Sequence, residues 1–356
     1  MIHLQFSSYG KVYCLLTAQE AKDIVKEDPS IYTSKLKSEQ GRIKVEALIV
    51  ENLIKKYEDV QVLKGIDMSI KEGEFYALMG PNGSGKTTLV SIIASITPPT
   101  SGEVKVYGYD ITDGAEEARR LIGYLPGENF SSPLLSGEEN LMYFAQLWGL
   151  PKSEARNLTH ELLARVGLPA EGKKRVSHYS SGMKRRLELA TILFPGMKIL
   201  ILDEPVTGLD PSARKEFLGL LREINKKGAT IFLITHIGED AEIASRVGLI
   251  DEGKLIVEGK PGELKKNSGL SSVVSVRLGL KNREILASLG SFGRDGKVLE
   301  VEDGYRVYCK DAEEAAPRIL KALGALGYEP SRVGIEKPSL EDVFFALTRK
   351  PVRGGV

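Results

Sequence analysis

The sequence predicts an α/β protein with a second, smaller α+β domain. Three apolar runs are short, nearly continuous and followed by polar residues, which is typical of parallel strands buried on both faces. They are Phe75–Met79, Ile199–Leu202 and Thr230–Ile234. A glycine-rich loop leads from the first run into helical spacing, and beyond residue 270 the order becomes β-α-β-β-α-β.

The composition is that of an ordinary globular protein, and its balanced charge narrows the classes of partner that we expect. The 356 residues suffice for two or three domains, and 42% of them are hydrophobic and 27% charged. Lysine and arginine (49) nearly cancel aspartate and glutamate (48), so the net charge of +1 gives no reason to expect nucleic acid or an anionic membrane as the main partner. Cys14 and Cys309 lie far apart and form no metal or redox motif.

The sequence shows neither a membrane span nor a secretory signal. No apolar run approaches the roughly 20 residues that cross a bilayer. The apolar stretch near the N-terminus, Val12–Leu16, is short, and charged residues follow almost at once. We therefore expect a cytoplasmic protein.

Residues 1–45 form an extension of unknown role. They are polar and carry no motif, and their spacing predicts a short helix from Thr17 to Lys26 that ends near Pro29. A small appended module, a flexible arm and an upstream start that the cell does not use all fit this pattern.

Residues 46–265 form the predicted α/β core, and a helical subdomain interrupts it at about 127–180. In this part, apolar residues recur at helical spacing over Glu138–Trp148 and Ser153–Val166. Lys265–Gly269 has the composition of a linker and ends the core.

Residues 270–356 form the predicted accessory domain. Its pattern predicts, in order, a strand, a helix, a hairpin across Asp303-Gly304, a helix, a strand and a closing helix. These elements are Ser272–Leu278, Asn282–Leu289, Lys297–Val301 with Tyr305–Cys309, Ala312–Leu326, Arg332–Ile335 and Pro338–Leu347.

A phosphate-binding loop is the most specific signal in the chain. Residues 80–88 read Gly80, Pro81, Asn82, Gly83, Ser84, Gly85, Lys86, Thr87 and Thr88. They match the pattern G-x-x-x-x-G-K-[ST] at every fixed position, between a strand and a helix. The glycines let backbone N–H groups surround a triphosphate, Lys86 would reach the β- and γ-phosphates, and Thr87 would ligate Mg²⁺. The alternative is a glycine-rich turn without a ligand.

Two carboxylates follow the second buried strand. Asp203 and Glu204 come directly after Ile199–Leu202, at the strand end where open α/β sheets bind ligands. Asp203 would hold Mg²⁺, directly or through water, and Glu204 would orient and activate the attacking water. A purely structural role, capping the next helix, is the alternative.

Small residues open a later helix at His178–Met183. Ser180 with an exposed Gly182 backbone would form an anion site at the helix N-terminus, although an ordinary N-cap has the same pattern. The basic run Lys184–Arg186 reads as a solvated helix face, because the overall charge is balanced.

His236 follows Thr230–Ile234 at the same sheet edge as Asp203. This placement favours a role near the phosphates over the usual structural role of a lone histidine. We assign His3, His160 and His178 structural roles.

Taken together, the motifs resemble those of a known family. They stand in the order Tyr57, Gly80–Thr88, Tyr179–Met183, Asp203-Glu204, Gly208-Leu209-Asp210 and His236. This order resembles the nucleotide-binding subunit of ABC transporters, which is a P-loop NTPase, over about residues 45–265. The final stretch Pro338–Phe344 and the domain before it resemble the drug- and antibiotic-export branch, in which separate ATPase chains drive ABC-2-type permeases.

The resemblance implies further roles. Tyr57 would stack on adenine, and Ser180, Ser181 and Gly182 would form the signature that closes over the ATP of a second copy. Asp210 would lie in the dimer-contacting loop, and His236 would sense the γ-phosphate.

Two departures from the family pattern affect these expectations. The signature reads Tyr-Ser-Ser-Gly-Met instead of Leu-Ser-Gly-Gly-Gln, but it keeps the serine and the second glycine. The glutamine or glutamate of the Q-loop falls on Gly127, which has no side chain, and the adjacent Glu128 is the candidate to replace it at the metal.

The expected function is ATP hydrolysis by a head-to-tail dimer that drives a separate permease at the inner face of the membrane, for export of a drug, antibiotic or lipid-like compound. The permease would dock on the helical segment beside Gly127. Two alternatives stay open: a non-transport ABC ATPase acting on DNA or ribosomes, and a regulatory nucleotide-binding module whose C-terminal domain senses a small molecule.

Overall fold

The computed structural model describes residues 45–270, 272–293 and 297–348, together with the backbone of two short strands near the N-terminus. Those two strands, β1 (Gln5–Phe6) and β2 (Val12–Tyr13), pair antiparallel. The predicted helix from Thr17 to Lys26 lies outside the described residues.

Fourteen further strands and eleven α-helices follow among the described residues. The strands are β3 (Glu46–Tyr57), β4 (Val60–Lys71), β5 (Phe75–Met79), β6 (Ser101–Val106), β7 (Tyr109–Asp110), β8 (Ile122–Leu125), β9 (Ile199–Asp203), β10 (Thr230–Thr235), β11 (Arg246–Asp251), β12 (Lys254–Gly259), β13 (Ser272–Arg277), β14 (Val298–Val301), β15 (Gly304–Cys309) and β16 (Arg332–Glu336). The helices are α1 (Lys86–Ile93), α2 (Ala115–Leu121), α3 (Gly137–Leu147), α4 (Lys152–Arg165), α5 (Ser181–Thr191), α6 (Pro211–Lys226), α7 (Gly238–Ala241), α8 (Pro261–Asn267), α9 (Arg283–Gly290), α10 (Ala312–Ala325) and α11 (Leu340–Thr348).

The central sheet has the strand order β12-β11-β5-β10-β9-β8. Its strands are parallel except β12, which pairs antiparallel with β11 at one edge. Every residue of β5, β9 and β10 is buried, which confirms that these apolar runs are strands covered on both faces. Helices α5, α6 and α11 pack on one face of this sheet, and α1 and α2 pack on the other.

A second, antiparallel sheet packs on one face of the central sheet. Its order is β4-β3-β6-β7, and its inner face shares one hydrophobic core with α1 and with inward side chains of β5, β9 and β10. Hairpin β3–β4 runs alongside the start of α1, so it forms one wall next to the phosphate loop.

Helices α3, α4 and α5 form a compact helical unit with its own core. Leu141, Leu162, Leu163 and Leu187 are among the buried residues of that core. The capping box at Ser136 and Glu139 marks the start of α3, as expected from the sequence rules for helix N-termini.

The C-terminal sheet has the order β14-β15-β13-β16 and is antiparallel throughout. In chain order of its own four strands this is 2-3-1-4, the ferredoxin-like arrangement that the β-α-β-β-α-β pattern predicts. Helices α9 and α10 pack on one face around Ile285, Ile319 and Leu323.

The connection between the α/β core and the accessory domain differs from the linker that the sequence predicts. Lys265–Asn267, expected in a linker, form the last turn of α8, and Leu264 of the same helix is buried against the core. The final helix α11 inserts Leu340, Val343 and Phe344 into the core of the central sheet. Within the described residues, no helix has both the length and the apolarity needed to cross a membrane.

Candidate functional site

Three predicted motifs meet at the carboxyl edge of the central sheet. Strand β10 lies between β5 and β9, with Thr235 opposite Met79 and Ile234 opposite Asp203. Because these strands are parallel, the residues that follow them share one edge. The phosphate loop, the two carboxylates and His236 therefore converge as expected.

The phosphate loop bends into α1 at Gly85, which is the N-cap residue in the left-handed region (φ 102°). A Cβ atom at Gly85 would lie 2.8 Å from Leu63 Cδ2, so only glycine fits both the conformation and the space. Asn82, Gly83 and Thr87 are exposed on the outer side of the loop. This surface presents backbone N–H groups at the N-terminus of an eight-residue helix.

Lys86 lies across the loop rather than pointing to solvent. Only 5% of its surface is exposed, and Nζ donates to the carbonyls of Gly80 (2.8 Å) and Pro81 (2.9 Å). The same nitrogen is 3.8 Å from Glu204 Oε1. Burial lowers the pKa of Lys86, and the nearby carboxylates of Glu204 and Asp203 oppose this shift.

Asp203 ends β9 with a carboxylate suited to a cation. The residue is 5% exposed, and its Oδ1 is buried without a hydrogen-bond partner. Burial raises the pKa of Asp203, while a hydrogen bond from Thr87 opposes the rise. No group of three or more acidic, histidine or cysteine side chains that could hold a metal occurs among residues 45–348 where they are described. A metal here would take its remaining ligands from Thr87, water and phosphate oxygens.

Glu204 and His236 lie side by side. His236 Nδ1 is 3.0 Å from Glu204 Oε2, but the ring does not aim its N–H at that oxygen, so the contact is a close approach rather than an aligned hydrogen bond. The His236 contact, followed by the charge of Lys86, lowers the pKa of Glu204 despite its partial burial. Glu204 adopts φ 45°, a strained conformation for a non-glycine residue, and such strain concentrates at functional sites.

Tyr57 ends β3 with 46% of its surface exposed. Lys55 Nζ lies 4.8 Å from the centre of its ring. The paired strand β4 passes Gly85 at Val62 and Leu63, so Tyr57 belongs to the hairpin that flanks the phosphate loop. An exposed ring at this wall is available for stacking.

The expectation that the Gly182 backbone is exposed is wrong. Gly182 is buried, and a Cβ atom there would lie 2.8 Å from Ala213 Cβ, because α6 packs against the first turn of α5. Ser180 and Ser181 remain exposed at the start of α5, and the Ser180 hydroxyl accepts from Met183 N (3.2 Å) as an N-cap.

Asp210 has a structural contact within the chain. Its Oδ1 accepts from the backbone N–H groups of Ser212 and Ala213 (both 3.0 Å), so it caps the N-terminus of α6. Helix α6 then packs on α5 through Ala213 and Gly182, which keeps the Asp210 and Ser180 loops adjacent.

The basic run Lys184–Arg186 is not a solvated face, because Arg185 is 3% exposed. Its guanidinium donates to Pro205 O (2.8 Å) and pairs with Glu188 at 3.2 Å. Glu188, fully buried, also accepts from Phe130 N (3.0 Å) and Ser131 Oγ (2.8 Å).

Sequence reasoning missed this pair, which ties α5 both to the strand end at Asp203 and to the loop after Gly127. The one available signal was the i, i+3 spacing of the opposite charges at Arg185 and Glu188.

Gly127 lies beside the end of β9. A Cβ atom built on it would be 3.4 Å from Asp203 O, an ordinary contact distance. Glu128, the candidate to replace the missing side chain, is exposed. Position 127 thus lies beside the backbone of Asp203, and the role of Glu128 at the metal stays a prediction.

The ABC transporter family model matches residues 63–207. The linearmycin resistance ATP-binding protein LnrL of Bacillus subtilis is 32% identical over 309 residues, covering 86% of this chain and 99% of that protein. The doxorubicin resistance ATP-binding protein DrrA of Mycobacterium tuberculosis is 36% identical over 320 residues, covering 86% and 94%. The Nod factor export ATP-binding protein I of Burkholderia thailandensis is 35% identical over 302 residues, covering 84% and 96%.

Solved structures agree on the fold. CbiO1 of Clostridium perfringens, part of the cbiONQ ABC transporter complex, superposes with a TM-score of 0.57 at 34% identity and covers 62% of this chain and 91% of its own. The ATP-binding cassette MJ0796, in a dimeric post-hydrolysis state with ADP and phosphate, gives a TM-score of 0.54 at 28% identity and covers 60% and 98%.

Proposed function

Because the chain belongs to the ABC transporter family of ATP-binding subunits, which are ATPases, we propose that it drives export of a drug, antibiotic or lipid-like compound through a separate ABC-2-type permease. The observation that carries this proposal is the extent of the similarity. It covers 94% to 99% of two drug-resistance ATP-binding proteins and 86% of this chain, so it includes part of the accessory domain as well as the ATPase core.

The geometry supports ATP binding at the phosphate loop. A phosphate oxygen is a stronger acceptor than the carbonyls of Gly80 and Pro81, so Lys86 would donate to the β- and γ-phosphates instead. Backbone N–H groups from Asn82 to Thr88 would surround the phosphates. The exposed ring of Tyr57 would stack on the adenine.

The residues present fit Mg²⁺. The unpartnered Oδ1 of Asp203 and the hydroxyl of Thr87 are hard oxygen ligands on facing elements, with exposed Glu128 as a further candidate. The ion would neutralise charge that develops on the phosphates. Asp203 would hold it directly or through water.

Glu204 is the residue that would activate water. Its lowered pKa keeps it ionised at neutral pH, and it lies between Lys86 (3.8 Å) and His236 (3.0 Å). A carboxylate in this position orients a water molecule for in-line attack and accepts its proton. His236 would contact the γ-phosphate and orient Glu204.

A dimer is required because each chain has one phosphate loop and one signature. Ser180 and Ser181 are exposed at the start of α5, where a partner's triphosphate can reach them. Asp210 would contact the facing copy beside them. We therefore propose a head-to-tail pair with two shared ATP sites.

The helical unit offers a surface for a permease. Large apolar side chains of this unit are exposed, namely Leu134 (77%), Tyr143 (54%), Leu147 (66%) and Trp148 (38%). An open cavity of about 500 Å³ lies between this unit and the core and is lined by Leu147, Trp148, Arg120, Pro195 and Gly196. Exposed apolar surface of this kind marks a protein contact. We propose that the permease docks here, at the inner face of the membrane.

ATP-dependent uptake into membrane vesicles tests the proposal. The chain is co-expressed with a candidate ABC-2-type permease, and uptake of a fluorescent drug into inverted vesicles is measured with and without ATP. We expect co-purification and ATP-dependent uptake that the Glu204→Gln variant loses. ATP hydrolysis by the purified chain without permease binding or uptake would reject the transport role and leave the ATPase assignment intact.

A further inference from the structure

Glu341, in the first turn of the last helix, contacts the loop that carries His236. Its Oε1 accepts a hydrogen bond from the backbone N–H of Gly238 at 2.6 Å, although the two residues are 103 positions apart. Gly238 is the first residue of α7, two positions after His236. The contact therefore links the C-terminal helix to the edge of the ATP site.

The fit around Gly238 is close. The position is buried, and a Cβ atom there would overlap the Glu341 carboxylate, coming within 2.5 Å of Cδ. The Glu341 carboxylate thus occupies the space that a side chain at position 238 would need, and the chain has a glycine there. A contact this tight restrains the backbone next to His236.

Helix α11 packs on the central sheet and bonds the accessory sheet, so the backbone that carries Glu341 is fixed on two sides. Leu340 and Phe344 are fully buried in the core of the central sheet. Asp342, also fully buried, accepts from Arg306 Nε (2.8 Å) and Nη2 (2.8 Å) and from Tyr308 OH (2.7 Å), both on β15. Neighbouring carboxylates on α11 therefore connect to the ATPase loop and to the accessory sheet.

The other side of the His236 loop is tied to α6. Ile237 N donates to Thr235 Oγ1 (3.0 Å), and buried Asp240 accepts from Arg214 Nε (2.7 Å). Helix α6 begins at the Asp210 loop. The loop at 236–238 is thus clamped between α6 and α11.

We propose that Glu341 is a positioning residue for ATP hydrolysis, which holds the Gly238 backbone so that His236 stays beside Glu204, and which couples this loop to the accessory sheet. The inference rests on the proposed role of His236. The physical reason is that small displacements of a group that orients the reacting atoms lower the rate, while the phosphate loop, which supplies most of the contacts to ATP, is unchanged.

The test replaces Glu341 by Met, which keeps length and helix propensity but lacks a carboxylate, and by Gln, whose amide oxygen still accepts from Gly238. Glu314→Met, at an exposed position on α10, is the matched control. We expect Glu341→Met to lower kcat about tenfold with the Kd for fluorescent ATP within about twofold. Glu341→Gln and Glu314→Met should stay within about twofold of the parent kcat. Should Glu341→Met fail to fold, the kcat and Kd of Glu341→Ala are compared with those of the parent instead.

Two readouts separate positioning from plain stability. Hydrogen exchange of the Gly238 amide, measured without nucleotide, should be faster in Glu341→Met and unchanged in Glu341→Gln. In a His236→Ala background, Glu341→Met should lower kcat no further, since both changes act through one group.

The outcomes distinguish the inference from the function it rests on. Full activity of a folded Glu341→Met beside an inactive His236→Ala, or an additive loss in the double variant, would overturn the inference alone. Normal turnover by His236→Ala would contradict the role of His236 and the inference with it.

Discussion

Lys86, Glu204 and His236 form a chain of contacts with the Glu204 carboxylate at its centre. Lys86 approaches Glu204 to 3.8 Å on one side, and His236 approaches it to 3.0 Å on the other. Both contacts favour the carboxylate, and Glu204 therefore has a lowered pKa. Asp203, one residue earlier, is buried with a raised pKa and a free oxygen. The two adjacent carboxylates therefore lie in different environments, one between Lys86 and His236 and the other buried with an unpartnered oxygen.

Replacing the proposed base should separate binding from hydrolysis. We expect Glu204→Gln to lower the ATPase kcat by at least about 100-fold, because the amide cannot accept a proton from water. Fluorescent-ATP affinity should stay within a few-fold, since the phosphate loop is intact. Phosphate release and size-exclusion chromatography with Mg-ATP measure the two effects, and the variant should elute as a dimer.

The exposed Glu263, paired with Lys260 far from the site, provides the control as Glu263→Gln. Normal turnover by Glu204→Gln would remove Glu204 from the catalytic role. A variant that remains monomeric with saturating Mg-ATP would contradict the shared-site dimer.

The lowered pKa of Lys86 predicts an alkaline limit for nucleotide binding. A lysine with a pKa below its usual 10.5 loses its charge at lower pH than an exposed one, so the Kd for ATP should rise as the pH increases towards 10. Lys86→Arg keeps its charge throughout this range and should lose that dependence, whereas Lys86→Ala should abolish binding at all pH values. Fluorescent-ATP titrations at several pH values test this, and a pH-independent Kd in the parent chain would contradict it.

Helix α5 carries the link between the signature and the rest of the site. Ser180 opens it, while Arg185 and Glu188 lie on its buried face. This pair bonds backbone groups of Pro205, just after the end of β9, and of Phe130, in the loop that follows Gly127. A movement of the helix at its signature end would therefore reach the carboxylates and the loop that follows Gly127.

Breaking this buried pair should destabilise the helical unit. We expect Glu188→Leu to cost about 3–5 kcal/mol, because it leaves the buried Arg185 charge without its carboxylate and the part-buried Phe130 N–H without its acceptor. Urea unfolding can be followed through the single tryptophan, Trp148, at the end of α3. Glu116→Leu removes an exposed helical pair with Arg120 and should cost less than about 1 kcal/mol. Equal costs for the two variants would contradict this role of the pair.

At the scale of the whole molecule, α11 joins two sheets that have separate hydrophobic cores. Leu340, Val343 and Phe344 belong to the core of the central sheet, while Phe345 stacks on Tyr308 and Asp342 bonds Arg306 and Tyr308 of the accessory sheet. Helix α11 is therefore inserted into an apolar core on one side, and on the other it makes a buried ionic network together with the apolar contact of Phe345. Such a network specifies one arrangement of the two parts, because each of its members must be paired.

Arg306 provides a matched test of this joint. Asp342→Ala should lower the free energy of unfolding by about 3–5 kcal/mol, since it leaves a largely buried guanidinium without its bidentate partner. Glu336 bonds the same guanidinium but is half exposed, so Glu336→Ala should cost less than about 1 kcal/mol. Thermal unfolding of both variants measures the difference. Similar unfolding midpoints would indicate that the apolar contacts of α11 alone hold the two sheets together.

The sequence predicted the elements well because their signals are local. Strand β5 begins and ends at the predicted residues. The elements of the accessory domain begin or end within a few residues of their predicted bounds. Parallel strands with polar residues at their ends also predicted that the phosphate loop, Asp203 and His236 meet. The burial of Arg185 and Gly182 was not predicted, because it depends on α6 and on the loop at Phe130.

What the sequence alone determined is the class of fold, the order of the motifs and their meeting at one edge of the sheet, since each follows from short spacings and from the ends of strands. The tertiary structure decided which charged side chains are buried and which distant residues touch. The contact of Glu341 with Gly238 is the clearest case, because a hydrogen bond across 103 positions leaves no periodic or spacing signal in the chain. Only the packing of α11 on the central core brings the two groups within bonding distance.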